Sequence, residues 1–243
     1  MNETILMIDD DEALVRLIEL NLTKAAYRFV SARHGIEGLQ RVQNEKPDVI
    51  LLDITMPKLD GWETCRLIRE VSDVPIIVVS GLDYETDKAR SLDLGADDYV
   101  TKPFGMVELQ ARIRAAIRRA DMPSRSQQGE KQSQYRVGAL VMDIPAHQVT
   151  RHGEMVSLTP TEFRLLEHLL LHGGMVLSHA QLLTAVWGFE YSDATDLLKP
   201  AISRLRQKIE EDPSDPQIIE TVYGVGYRLI RPPAPENGPR RSA

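Results

Sequence analysis

Cysteine is almost missing from this sequence of 243 residues, in which Cys65 stands alone. One thiol excludes an internal disulfide framework and suits a reducing compartment. Cys65 shares a helical spacing with Trp62 and Ile68, which points to packing rather than reactivity. Long apolar runs are missing too: none approaches the ~20 residues that a membrane span needs, so no membrane partner is expected. The first residues enter a strand pattern directly, without the basic segment and apolar core of a secretory leader, and a cytoplasmic location is the expectation. There is also no surplus of positive charge. The net formal charge is −7, with 16 basic against 21 acidic residues up to Ala120 and 13 against 15 beyond it. Any role in binding nucleic acid must therefore rest on local placement of charge.

What is present is a chain long enough for two domains, each able to bury its own core. The first half alternates short apolar runs with segments of helical period. Strands are expected at Thr4–Ile8, Arg28–Ala32, Val49–Leu52, Ile76–Ser80 and Asp98–Thr101, and helices at Ala13–Thr23, Ile36–Gln43, Gly61–Glu70, Glu85–Leu94 and Val107–Arg119. Five such units predict a doubly wound α/β fold, a five-stranded parallel sheet covered on both faces, over residues 1–120. Residues 121–134 are polar and aperiodic, as a flexible linker would be. From 135 to 231 an α+β domain is expected: β pieces at Arg136–Met142, Gln148–Arg151 and Met155–Ser157, helices after Thr159 and Ser178 and over Leu197–Glu211, then a hairpin of Ile218–Val222 and Tyr227–Ile230. A disordered tail follows at 232–243.

Chemistry gathers where the first-half strands end. Asp9 and Asp10 follow the first strand, Asp53 the third, Ser80 ends the fourth and Lys102 follows the fifth. In a parallel doubly wound sheet these ends share one edge. Three carboxylates brought together there need a cation, and an all-oxygen donor set favours Mg²⁺. A lysine and a small hydroxyl nearby are what a phosphoryl group on a carboxylate would need. A lone aspartate at a strand end usually does no more than cap a helix, and Asp11 is read that way. Five matching residues at one edge are a different matter.

DD at 9–10, DITMPKLDG at 53–61, VVSG at 78–81, GADDYVTKPF at 95–104 and LQARIRAAIRR at 109–119 resemble a receiver domain in order and spacing. That resemblance implies Asp53 as the acceptor of a phosphoryl group from a sensor histidine kinase. Asp10 and Asp53 would bind Mg²⁺ directly, Asp9 through water, with the Thr55 carbonyl as a further ligand. Lys102–Pro103 would carry a cis peptide, and Ser80 and Tyr99 would be the switch pair. A dimer face is expected on activation, with Lys88 and Arg90 on one side and Asp97, Asp98, Glu108, Arg112 and Arg119 on the other. Its mixed signs suit a self-complementary two-fold contact. An aspartyl phosphatase is the enzyme rival, but it would want a second aspartate where Thr55 stands, so a metabolic enzyme is not expected. A regulator that dimerises without phosphorylation is the remaining alternative; the full acidic set argues against it.

LTPTEFRLLEHLL, HAQLLTAVWG, ISRLRQKIEEDP and IETVYGVGYRL resemble the winged-helix output domain of OmpR/PhoB-type response regulators. The resemblance implies binding of double-stranded promoter DNA and an RNA polymerase partner. Between Lys199 and Ile209 stand Lys199, Arg204, Arg206 and Lys208 and no acid. With Ile202, Leu205 and Ile209 as the buried stripe, Ser203, Arg204 and Arg206 are expected on the exposed face. The hairpin would be a wing, with Tyr223 where relatives often carry a DNA-contacting arginine. Asp196 stands where relatives carry arginine, and Pro200 requires a later helix start or a bent entry.

Overall fold

The computed structural model describes residues 3–81, 90–121 and 134–230. Lys88 of the expected dimer face, most of the expected linker and the expected tail lie outside them.

The first unit runs β1 (Thr4–Ile8), α1 (Glu12–Lys24), β2 (Arg28–Ala32), α2 (Gly35–Glu45), β3 (Val49–Leu52), α3 (Gly61–Val71), β4 (Ile76–Ser80), β5 (Asp98–Thr101) and α4 (Met106–Asp121). The strands pair in parallel in the order β2-β1-β3-β4-β5. Chain direction across the sheet reverses between β1 and β3, so the loops after those strands diverge and leave a crevice at their C-terminal ends. Alternate strand residues serve opposite faces. Ile5, Met7, Val49, Leu51, Ile77 and Val79 pack with α1 and α4, while Leu6, Ile8, Ile50, Leu52, Ile76 and Val78 pack with α2 and α3. Asp11 caps α1, accepting from the amides of Ala13 and Leu14. Asp60 caps α3 in the same way through Glu63.

The second unit has β6 (Gln134–Val137), β7 (Leu140–Asp143), β8 (Gln148–Arg151), β9 (Glu154–Met155), α5 (Pro160–Leu171), β10 (Val176–Ser178), α6 (His179–Val186), a 3₁₀ turn at Phe189–Tyr191, α7 (Thr195–Ile209), β11 (Ile219–Val222) and β12 (Gly226–Leu229). The antiparallel sheet β6-β7-β8-β9 precedes three helices, and β10-β12-β11 closes the unit. Thr159 and Glu162 form a capping box on α5 with Pro160 in the first turn, and Ser178 and Gln181 form another on α6.

Three expectations need correcting. The piece expected as one strand over Arg136–Met142 is a hairpin, because Gly138 takes φ +58° and turns the chain between the paired Val137 and Leu140. β10, which periodicity does not announce, adds to the hairpin: its residues pair with β12, and a Cβ on Gly226 would collide with the Leu177 backbone. Finally, α7 starts two residues earlier than expected rather than later, so Pro200 lies inside it, in the second turn. Among the described residues no helix is long and apolar enough to cross a membrane.

The two units share buried surface. One apolar cluster runs from Leu92, Ala96 and Tyr99 of the first to Trp187, Tyr191 and Leu197 of the second.

Candidate functional site

Asp9, Asp10 and Asp53 meet in the crevice beside the β1–β3 pair. Each offers one carboxylate oxygen, and these three atoms lie within 4.8 Å of one another. Asp9 and Asp53 are buried and Asp10 is exposed. Lys102 reaches back from the end of β5: its Nζ donates to Asp9 Oδ2 at 2.8 Å and stands 3.2 Å from Asp53 Oδ2. The Asp11 amide donates to Asp9 Oδ1 at 2.8 Å, and the Thr55 amide to Asp53 Oδ1 at 3.3 Å. Gly61 is required beside this site, because any side chain there would collide with the Asp53 carbonyl. The Lys102–Pro103 peptide is cis.

The electrostatics follow from crowding. Burial pushes the Asp53 carboxyl above the usual carboxylate range; Lys102 opposes the shift and Asp9 adds to it. Burial would lower the Lys102 pKa, but its hydrogen bond and charge pairing with Asp9, then Asp53, outweigh that and raise it. Three hard oxygen donors with only one ammonium among them make a donor set that fits a divalent cation such as Mg²⁺. Ser80 ends β4 fully buried, and Tyr99 is buried in β5.

The other expected residues divide. On α7, Lys199 and Ser203 are exposed, and Tyr223 at the hairpin tip is 92% exposed. Arg204, expected on the exposed face, is only 8% exposed in this arrangement; its guanidinium donates to the Leu92 carbonyl of the first unit and to Glu162 Oε1 at 3.4 Å. Arg206 is half-buried and anchors the hairpin instead, donating to the Ile219 carbonyl at 2.7 Å and to Thr221 Oγ1 at 2.8 Å. Lys208 pairs with Glu162 at 2.7 Å. The solvent stripe of α7 is Thr195, Lys199, Ser203 and Gln207, at strict i, i+4 spacing. Gln207 carries no charge, so a choice of exposed face by charge passes over it, whereas the i, i+4 period from Lys199 and Ser203 reaches it.

The expected dimer face is mostly occupied from within the chain. Asp97 pairs with Arg69 at 2.7 Å, Asp98 with Arg112 at 2.9 Å, and Arg112 with Glu108 at 2.9 Å. Arg90 is exposed, its guanidinium 4.7 Å from the Trp62 ring centre. Arg119 is buried. No sequence pattern marks Trp187 or Tyr191 as neighbours of this face, yet Trp187 Nε1 donates to the Asp97 carbonyl at 3.1 Å and Tyr191 Oη to Asp98 Oδ2 at 2.7 Å.

A parallel α/β unit with an acidic crevice, followed by a three-helix unit ending in a β-hairpin, defines a response regulator with a DNA-binding output domain. Comparison with known proteins agrees. Residues 5–114 match the model of the response regulator receiver domain, and residues 153–229 that of the C-terminal domain of transcriptional regulatory proteins. The alkaline phosphatase synthesis transcriptional regulatory protein PhoP of Bacillus subtilis is 40% identical over 237 residues, covering 96% of this chain and 98% of PhoP. AfsQ1 of Streptomyces coelicolor is 42% identical over 229 residues, covering 94% and 99%. A solved structure of a RitR mutant superposes with a TM-score of 0.76 at 26% identity, covering 95% of this chain and all of that one. This chain belongs to the OmpR/PhoB family of two-component transcriptional regulators.

Proposed function

We propose that the chain is a phosphorylation-switched, DNA-binding regulator rather than a metabolic enzyme, with Asp53 as its acceptor. The observation that carries this reading is the convergence of Asp9, Asp10, Asp53 and Lys102 in one crevice. An Asp53 oxygen attacks the phosphorus of a phosphohistidine on the sensor kinase. The P–O bond forms as the P–N bond breaks, the imidazole leaves with the electron pair, and Asp53 carries an acyl phosphate. Mg²⁺ held by Asp10, Asp53 and the Thr55 carbonyl, with Asp9 through water, would neutralise charge on the phosphoryl oxygens. Lys102 pairs with one of those oxygens and Ser80 donates to another, while Tyr99 responds behind Ser80. The modified receiver then dimerises through Lys88, Arg90, Asp97, Asp98, Glu108, Arg112 and Arg119, and the output domain binds promoter DNA in the cytoplasm and engages RNA polymerase. Lys199, Ser203 and Tyr223 present themselves to DNA directly; Arg204, Arg206 and Lys208 would do so only after leaving their present partners.

The test is phosphate incorporation from a small phosphodonor in wild type and Asp53→Ala, with and without chelator. Labelling of the wild type in Mg²⁺ alone is expected. Equal labelling of the variant would remove Asp53 from the role.

A further inference from the structure

The end of α5 carries two imidazoles one turn apart. His168 and His172 stand at i and i+4, so the helix places them on one face. Their ring centres are 4.4 Å apart, with 47° between the ring planes. His172 Nδ1 lies 2.8 Å from the His168 carbonyl oxygen. A carbonyl only accepts, so Nδ1 carries the proton and Nε2 keeps its lone pair. A metal-ligating histidine is held in the same way: its second nitrogen donates to a backbone carbonyl, which fixes the tautomer. The His168 ring has no hydrogen-bond partner among the described residues. Both residues are partly exposed. Burial, then the neighbouring His172, holds the His168 pKa below the ordinary imidazole value.

Capping the helix accounts for His172 Nδ1, but not for its Nε2 or for the His168 ring. Two neutral imidazoles on one helical face are a ready chelate, and the same i, i+4 spacing holds zinc in helical metal sites. Ring centres this close are compatible with one ion at about 2.0–2.1 Å from a nitrogen of each ring. The helix end assists, because its last carbonyls carry partial negative charge that favours a cation. Imidazole nitrogen suits Zn²⁺, Cu²⁺ and Ni²⁺, whereas Mg²⁺ prefers oxygen donors such as those of Asp9, Asp10 and Asp53. The position matters to the output domain. Beyond His172 the chain turns into β10, which pairs with β12, and the Gly174 amide donates to the Leu229 carbonyl at 3.0 Å.

We propose that His168 and His172 form a second metal site, a bidentate chelate for a divalent transition metal of the Zn²⁺ and Cu²⁺ class. The ion clamps the end of α5 where the chain turns toward the β10-β12-β11 sheet. Two protein ligands leave the other coordination positions to water, so the metal exchanges and is not a permanent part of the fold. By holding the last turn closed it stabilises the output domain. The site depends neither on Asp53 nor on its phosphorylation.

The experiment titrates Zn²⁺ and Cu²⁺ separately into full-length wild type, His168→Gln and His172→Gln. Excess Mg²⁺ is present throughout to occupy the aspartate crevice. Calorimetry reads affinity and stoichiometry, and thermal unfolding reads the melting temperature. Wild type is expected to bind Cu²⁺ more tightly than Zn²⁺, following the general order for nitrogen ligands. Each variant is expected to lose at least about tenfold in affinity, as loss of even a ligand's supporting group does. Zn²⁺ is expected to raise the melting temperature of wild type more than that of either variant. Equal affinities in the three proteins, equal melting shifts, or displacement of the metal by Mg²⁺ overturns the proposal. Should a variant fail to fold, substoichiometric Cu²⁺ in the wild type decides. Paramagnetic broadening that falls first on the rings of His168 and His172 supports the site, and broadening that falls first elsewhere contradicts it.

Discussion

A carboxylate at the end of a fully buried strand has given up water. For Asp53 the outcome is a pKa above the usual range, with burial as the largest cause. A group whose folded pKa is raised adds stability below the ordinary carboxylate pKa and loses it as pH climbs through the raised value, so at neutral pH the ionised Asp53 weighs against the fold. Asp53→Asn should therefore raise the melting temperature of the receiver at pH 7 in chelator. Each ~1 kcal/mol relieved corresponds to roughly 4–8 °C in a domain of about 100 residues. Added Mg²⁺ should raise the wild type more than the variant, because only the wild type keeps the full donor set. A lower melting temperature for Asp53→Asn in chelator would show that its pairing with Lys102 outweighs its desolvation. Asp9, Asp53 and Lys102 are legible in the sequence because parallel strand ends converge by topology. The fate of Arg204 is not: its carbonyl partner, Leu92, lies 112 positions away in another domain, and nothing in a helical period reports on docking between domains.

At the scale of elements, Glu162 joins two helices. It closes the capping box of α5 with Thr159 and accepts from both Arg204 and Lys208 of α7 while itself buried. Glu162→Ala should cost about 3–5 kcal/mol in thermal or denaturant unfolding, because it strands buried charge as well as opening a cap. Thr159→Ala, which opens only the cap, should cost about 1 kcal/mol. Equal effects of the two would mean the arginine and lysine contribute nothing there. On α7, Lys199 is exposed in the solvent stripe. Lys199→Ala should weaken specific and random DNA alike and lower the salt slope by about one unit, checked by a salt titration; an unchanged slope would remove it from the phosphate contacts. The order of elements can be read from sequence because periodicity and caps are local. β10 and the split between β6 and β7 cannot: β10 is a three-residue strand defined by its pairing with β12, and the split rests on Gly138 taking φ +58°.

For the whole molecule, the two domains meet through one shared apolar cluster and through polar contacts that include Trp187 with Asp97, Tyr191 with Asp98 and Arg204 with Leu92. A phosphorylation switch requires that modification of Asp53 changes DNA binding by the whole chain. The most direct measurement uses DNA fragments selected by the beryllofluoride-treated protein, titrated with wild type and Asp53→Ala, each with and without beryllofluoride and Mg²⁺. The treated wild type is predicted to bind its selected site much more tightly than the untreated wild type, while Asp53→Ala does not respond. Equal binding by all four samples would contradict the switch.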